Sequence, residues 1–291
     1  MNPALLLLAD SRLPAGGHAH SGGTEQAITS GAVSDVPSLA RFLRGRLHTT
    51  GSLAATLTAA AHTQATTPSP QPPTSASSTT GAGADAEVGQ VAAGAPWVLL
   101  DAEVDARTAA PAQRDASRTQ GRLLLRVARR VWPSPVLDEL ARAVPSPHHP
   151  IALGAVAYAA GATAEEAAMA AAYHAISGPA TAAVRLLGLD PVAVHGLLAD
   201  LTPDLTAVAT EAHLAVTNAR STAHPDVTTA RSTAHPDVTN ADSTAHPGPT
   251  SQTPDPADPL PWLAALPAYS SPALDLLAEQ HARAEVRLFV S

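Results

Sequence analysis

The sequence predicts an all-α protein, a compact multi-helix bundle broken by two low-complexity insertions. Three observations carry that reading. Ala and Leu dominate while aromatic residues make up 3% of the chain, and Ala costs least in a helix. Apolar residues recur at helical spacing over long stretches, the pattern of a helix with one buried face. Pro, Gly and small polar residues fall where such stretches start and stop. Ala-rich helices bury little area each, so many must pack together. The expected organisation is a single helical domain over 1–291, interrupted by disordered insertions at 63–96 and 216–258.

Residues 4–9 (ALLLLA) read as one or two apolar helical turns that stop before Pro14, which disfavours helix in its predecessor. A glycine loop follows, from Gly16 to Gly23, and Ser21 is placed to cap a short helix through about Ser30 with Glu25 in its first turn. Ser34 to Ala61 reads as one longer helix: Leu39, Phe42, Leu43 and Leu47 form a stripe, with Arg41, Arg44 and Arg46 mostly off it. Segment 63–96 is rich in Pro, Ser, Thr and Gly and poor in large apolar side chains. It cannot recover its ordering entropy by burial.

Helical pattern resumes at Trp97 and ends in the Thr108–Pro111 turn. Pro111 suits the first position of a helix with Ala116, Gln120, Leu123, Leu124, Val127 and Val131 on one face. Arg118, Arg122, Arg126, Arg129 and Arg130 form another face, weighted to the C-terminal end. Between 148 and 201 four helices follow: one over 148–161, one from Thr163 to Gly178-Pro179, a third from Pro179 to Leu187 that stops at Gly188, and a fourth through Leu201. Thr163 to Glu166 has capping-box spacing, Gly178-Pro179 reads as a turn, and Asp190-Pro191 opens the next helix. A further helix covers about Asp204–Ala215. Three 11-residue units then repeat (216–226, 227–237 and 238–248), each with a Pro and one sizeable apolar residue. No coiled-coil seam can form from them. Ser271-Pro272 opens a last helix, and the chain ends in the apolar tail Val286 to Ser291.

Composition excludes several chemistries. The net charge of −8 argues against nucleic acid or an anionic membrane as a general partner. All 17 basic residues are Arg, so neither a P-loop lysine nor a Schiff-base lysine is available. Without cysteine there is no disulfide or thiolate ligand. The first residues lack a basic region ahead of their short apolar run, which places the protein in the cytoplasm by default. No G-x-S-x-G elbow occurs. No catalytic residues are assigned, and the chain is expected not to be an enzyme.

Histidines offer the metal candidates. His18 and His20 could reach one ion, but they supply two ligands where a closed site needs about four. His148-His149 reads as a cap or surface turn. His224, His235 and His246 recur mechanically with the repeats. The tail is more telling: Leu288, Phe289 and Val290 at a chain end should fray into water unless covered. They either pack back on their own domain or dock into another protein.

Several stretches together resemble the urease accessory protein UreF family. LLLLADSRLPAGGHAHSGGTEQAITSGAV is similar to that family's opening, RDASRTQGRLLLRVA to its Arg-x-x-Ser-x-x-x-Gly-x-x-Leu-Leu helix, and HHPIALGAVAYAAG, AISGPATAAVRLLGLDP and HARAEVRLFVS to its later segments. His18 and Thr24 depart from the pattern, where an aromatic and a Leu are commoner. The resemblance implies a UreF-like helical homodimer that bridges a second accessory protein (UreD, also called UreH) and the GTPase UreG on apo-urease. Nickel would thereby reach the urease active site, with nickel and GTP handled by the wider complex and no cofactor bound by this chain.

Carried onto this sequence, Arg283, Glu285, Arg287, Leu288 and Phe289 match the segment that docks into UreD. Asp10, Ser11, Pro14, Gly16, Gly17, His20, Ser21, Gly22 and Glu25 match the N-terminal motif. Ser117, Gly121 and Arg122 match the central helix, and Gly178 and Pro179 the later turn. The alternative is a nickel-binding metallochaperone that uses His18, His20 and the repeat histidines directly.

Overall fold

The apolar stripes of the sequence have to meet somewhere, and in the computed structural model they meet around one central helix. The structure describes residues 2–10, 13, 21–67, 84–223, 260–284 and 288–289, with backbone alone for 84–93. Among them no strand occurs, and the helices are α1 (Ala4–Ala9), α2 (Thr24–Thr29), α3 (Val36–Arg46), α4 (Ser52–Ala65), α5 (Ala84–Arg107), α6 (Pro111–Val131), α7 (Pro135–Ala143), α8 (His149–Ala159), α9 (Ala164–Leu187), α10 (Pro191–Asp200), α11 (Thr202–Ala223) and α12 (Pro272–Arg283). No helix among the described residues is long and apolar enough to cross a membrane.

Helix α4 is the hub, packed against α8, α9 and α11. Its residues are buried almost all round, from Leu53 to Ala65. Helix α8 is buried on most of its circumference too, from Pro150 to Ala157. Helices apolar on all sides belong in the middle of a bundle. Small side chains let these two approach closely. A Cβ on Gly154 of α8 would stand 2.4 Å from the Thr58 carbonyl oxygen and 2.8 Å from the His62 nitrogen. Buried apolar residues from Leu8 to Leu266 join in one cluster.

Local chemistry sets most helix starts. Asp35 accepts from the Ser38 amide at 2.8 Å, while the Ser38 hydroxyl accepts from the Asp35 amide at 3.0 Å. Thr163 and Glu166 form the expected reciprocal box. Asp190 caps α10 through the Val192 amide at 3.0 Å, with Pro191 at the first helical position. Pro111 begins α6.

Several expectations need correction. The long helix expected over 34–61 starts at Val36, passes through a π turn at Leu47–Gly51 and continues to Ala65. The π turn falls where α9 comes close, since a Cβ on Gly51 would meet that of Ala175 at 3.4 Å. Both insertions are also shorter than expected. Residues 63–65 complete α4, with the Thr63 hydroxyl donating to the Ala59 carbonyl, and α5 begins at Ala84 because its Ala-rich start suits a helix. Helix α11 runs two turns into the first repeat. Val216 and Ala219 continue the buried stripe of Leu205, Val208 and Ala212, and Arg220 lies over the Trp262 ring at 5.7 Å. The rest of both segments lies outside the described residues. A helix at 135–143 and a 3-10 turn at Pro261–Ala265 had no counterpart in the sequence reading.

The largest correction concerns Gly178 and Pro179. They do not form a turn: α9 is continuous from Ala164 to Leu187 with Pro179 inside it.

Candidate functional site

A proline inside a helix removes the amide that would bond the carbonyl four residues earlier. For Pro179 that carbonyl belongs to Ala175, and Arg46, at the C-terminal end of α3, donates to it from Nε at 2.7 Å. The same guanidinium donates from Nη1 to the Gly22 carbonyl at 2.7 Å. Arg46 therefore ties the N-terminal loop, α3 and the interruption in α9 together. Burial lowers its pKa to about 10, which leaves it charged at neutral pH. Gly22 has φ +60°, and a Cβ there would lie 2.9 Å from Arg46 Nη2 and 3.1 Å from Pro179 Cγ. The positive φ favours glycine there, and an added Cβ would also press on the Arg46 guanidinium.

This junction borders a cavity of about 640 Å³. Motif residues remote in sequence converge on its walls: Asp10 and Gly22, Ser117 of α6, Gly178 and Pro179 of α9, and Phe289 of the tail. Gly121 and Arg122 do not join them. Gly121 faces the turn before α8, where a Cβ would stand 2.1 Å from the Pro147 carbonyl oxygen, and Arg122 is exposed. Arg283 is exposed at the end of α12, and Ser21 is buried beside α2. Ser11, Pro14, Gly16, Gly17, His18, His20, Glu285, Arg287 and the repeat histidines lie outside the described residues.

The central motif builds helix junctions. Arg114 donates to the carbonyls of Thr108 and Ala109 beyond the end of α5. The Ser117 hydroxyl accepts from the His149 amide at 3.1 Å, and Asp101 accepts from the His148 amide at 2.7 Å. Together they satisfy amide donors at the start of α8. Gly121 gives that turn room. His148 is the N-cap of α8, fully buried rather than on a surface turn.

Asp101, Asp105 and His148 are the group among the described residues with metal-ligand spacing. Arg118 already engages both carboxylates, Asp101 at 2.9 Å and Asp105 at 2.5 Å. His148 Nε2 lies 2.9 Å from Asp105. With a guanidinium on both acids, a cation would have to displace the internal counter-ion. The arrangement fits an ion-pair network that braces α5, α6 and α8 together. His148 Nδ1 is buried without a partner, which fits a neutral ring donating from Nε2. Sequence reasoning missed this network and the Arg46 junction, because each is closed by residues from different helices.

Burial lowers the pKa of His62, His148 and His174 below the ordinary histidine value of 6.5. Each stays neutral in the fold, while the unfolded chain takes up a proton near pH 6.5. Stability is therefore fully present above that value and falls as pH drops from 6.5 towards the folded-state values. The slope is about 1.4 kcal/mol per pH unit for each proton. The melting temperature should stay nearly level from pH 7.5 to about 6.5, the ordinary histidine value, and drop from there towards pH 5.5. Asp35, Asp105 and Glu166 have lowered pKa values, so their losses begin only in the more acidic carboxylate range. A flat melting temperature across pH 7.5 to 5.5 would contradict the assignment.

The tail is held by α2 and α12. Glu25 accepts from the Leu288 amide through Oε1 at 2.8 Å and from the Phe289 amide through Oε2 at 3.1 Å. His281 Nε2 lies 3.2 Å from the Phe289 carbonyl oxygen. Of the two fates open to the tail, packing back accounts for the Leu288 and Phe289 amides and for the Phe289 side chain, which reaches the cavity wall. Leu288 remains 76% exposed.

Fold and site thus define an all-α protein whose motif residues join helices and hold Leu288 exposed beside α2 and α12. Comparison with known proteins narrows that class. The UreF family model matches residues 33–202. The urease accessory protein UreF of Mycobacterium sp. (strain JLS) is 45% identical over 210 residues, covering 71% of this chain and 84% of the relative. That of Mycolicibacterium vanbaalenii is 41% identical over 208 residues, covering 72% and 84%. The corresponding protein of Mycobacterium marinum is 40% identical over 214 residues, covering 74% and 86%. The chain belongs to the UreF family of urease accessory proteins.

Proposed function

We propose that this chain is a cytoplasmic, homodimeric scaffold for urease maturation, which bridges UreD and the GTPase UreG on apo-urease so that nickel is inserted. Nickel is cargo here, and GTP hydrolysis belongs to UreG. A chain without a single lysine cannot build a P-loop, which suits that division of labour and a protein without catalysis of its own. The observation that carries the reading is the segment after α12: the Leu288 and Phe289 amides are anchored, yet the Leu288 side chain is displayed to solvent. Arg283, Glu285, Arg287, Leu288 and Phe289 are the proposed contacts with UreD.

A cell lacking this chain should accumulate urease protein without nickel. Re-expression should restore both metal content and activity, measured by metal analysis of purified urease and by urea hydrolysis. Full nickel loading without the chain would overturn the proposal.

A further inference from the structure

Arg122 is a motif position that the helix junctions leave unused, and it has company. The chain carries a net charge of −8, yet the exposed face of α6 gathers Arg122, Arg126, Arg129 and Arg130. The fold sorts the arginines of this helix. Arg114 donates to the end of α5, Arg118 pairs with Asp101 and Asp105, and Arg129 pairs with Asp138 of α7 at 2.7 Å. Among the described residues, Arg122, Arg126 and Arg130 pair with no acid. Steps of four residues set these three side chains in one row, about 12 Å long at about 1.5 Å per residue. Like charges at that spacing repel each other and weaken a helix. The helix dipole offsets the repulsion only in the last turn, which includes Arg130 but neither of the other two.

The row is also remote from the tail. Helix α12 meets the opposite end of α6, where Glu279 accepts from the Ala112 amide at 2.9 Å and Asp275 from the Gln113 side chain at 3.2 Å. Arg130 lies about 26 Å further along the axis. We infer that Arg122, Arg126 and Arg130 form a docking face for an acidic surface of another protein in the maturation assembly, separate from the tail contact. The inference rests on the function proposed above. Carboxylates about 6 Å apart along a partner helix match the row, and guanidinium forks grip carboxylates bidentately. A nucleic acid or an anionic bilayer extends well beyond such a row and would meet the net negative remainder of the chain. A compact acidic patch would not.

The test forms the UreD complex of three full-length chains: unaltered, neutral (Arg122→Gln, Arg126→Gln, Arg130→Gln) and reversed (Arg122→Glu, Arg126→Glu, Arg130→Glu). Each complex is titrated with purified UreG and with purified apo-urease at low and high salt. All three chains should bind UreD equally, because the tail is untouched. The dissociation constant for UreG or for apo-urease should rise about tenfold in the neutral variant and further in the reversed one. The loss should lie mainly in the association rate and shrink at high salt. Arg129→Gln, whose charge Asp138 already answers, should weaken binding by about twofold at most. Unchanged affinities in every variant, losses that salt does not diminish, or an Arg129→Gln loss as large as the triple one overturn the face. So does a short DNA duplex or a phosphatidylserine vesicle that the unaltered chain holds and the neutral variant releases while protein binding stays. If the unaltered chain binds none of the three proteins, the maturation reading fails and the inference with it, whereas binding that every variant keeps removes the face alone.

Discussion

Gly154→Leu should yield a chain that does not fold, and Gly154→Ala should lose about 3 kcal/mol in a denaturant titration. The atoms in the way cannot yield cheaply. A single Cβ at this position meets the Thr58 carbonyl oxygen at 2.4 Å, the Ala61 Cβ at 2.7 Å and the His62 nitrogen at 2.8 Å. All three belong to the buried face of α4, which is itself held on its other sides by α9 and α11. Separating α4 from α8 by the extra distance would open voids along the whole crossing, and lost packing has its own cost. Against a typical total of about 5–15 kcal/mol, the alanine variant should be marginal and the leucine variant lost. Gly196 supplies the contrast. It sits in α10 with nothing within 4 Å of its would-be Cβ, so Gly196→Ala should stabilise by about 0.5–1 kcal/mol through helix propensity. Equal effects at the two glycines would refute the close crossing.

Much of this architecture was legible because helix starts depend on neighbours in sequence. Thr163 with Glu166, Asp190 with Pro191, and Pro111 each announce a helix through contacts a few residues long. The apolar tail was equally visible. What escaped were features closed over long distances. Pro179 looked like a helix end because proline removes a local hydrogen bond, but Arg46, 129 residues before Ala175, satisfies the freed carbonyl. The first repeat looked incapable of folding on its own composition, but its Val216 and Ala219 find a surface prepared by the rest of the bundle.

The candidate site divides in the same way. Ser117, Gly121 and Glu25 could be picked out as motif positions, but their tasks could not. Ser117 and Gly121 serve the start of α8, and Glu25 meets amides more than 260 residues away. His148 read as a cap or a surface turn because its sequence neighbours are prolines and polar residues; it is the cap, but a buried one. Its carboxylate partners come from α5 and its counter-ion from α6. Only the fold brings those charges to it.

The central claim is that this UreF-family chain works by offering its C-terminal end to a partner. Removing Arg283–Ser291 takes away Leu288, Phe289 and the charged residues beside them. It removes nothing from the buried helices α4, α8 and α9, so the helical circular dichroism and the melting temperature should stay close to those of the full chain. Anchor side chains of this kind carry most of the binding energy of an interface, about 2 kcal/mol or more for each strong one. Losing the exposed Leu288 anchor alone should therefore weaken binding by a factor of about thirty, and the charged residues beside it are lost as well. The decisive measurement is the dissociation constant of the truncated, folded chain for UreD: binding should be lost, whereas binding as tight as that of the full chain would contradict the account.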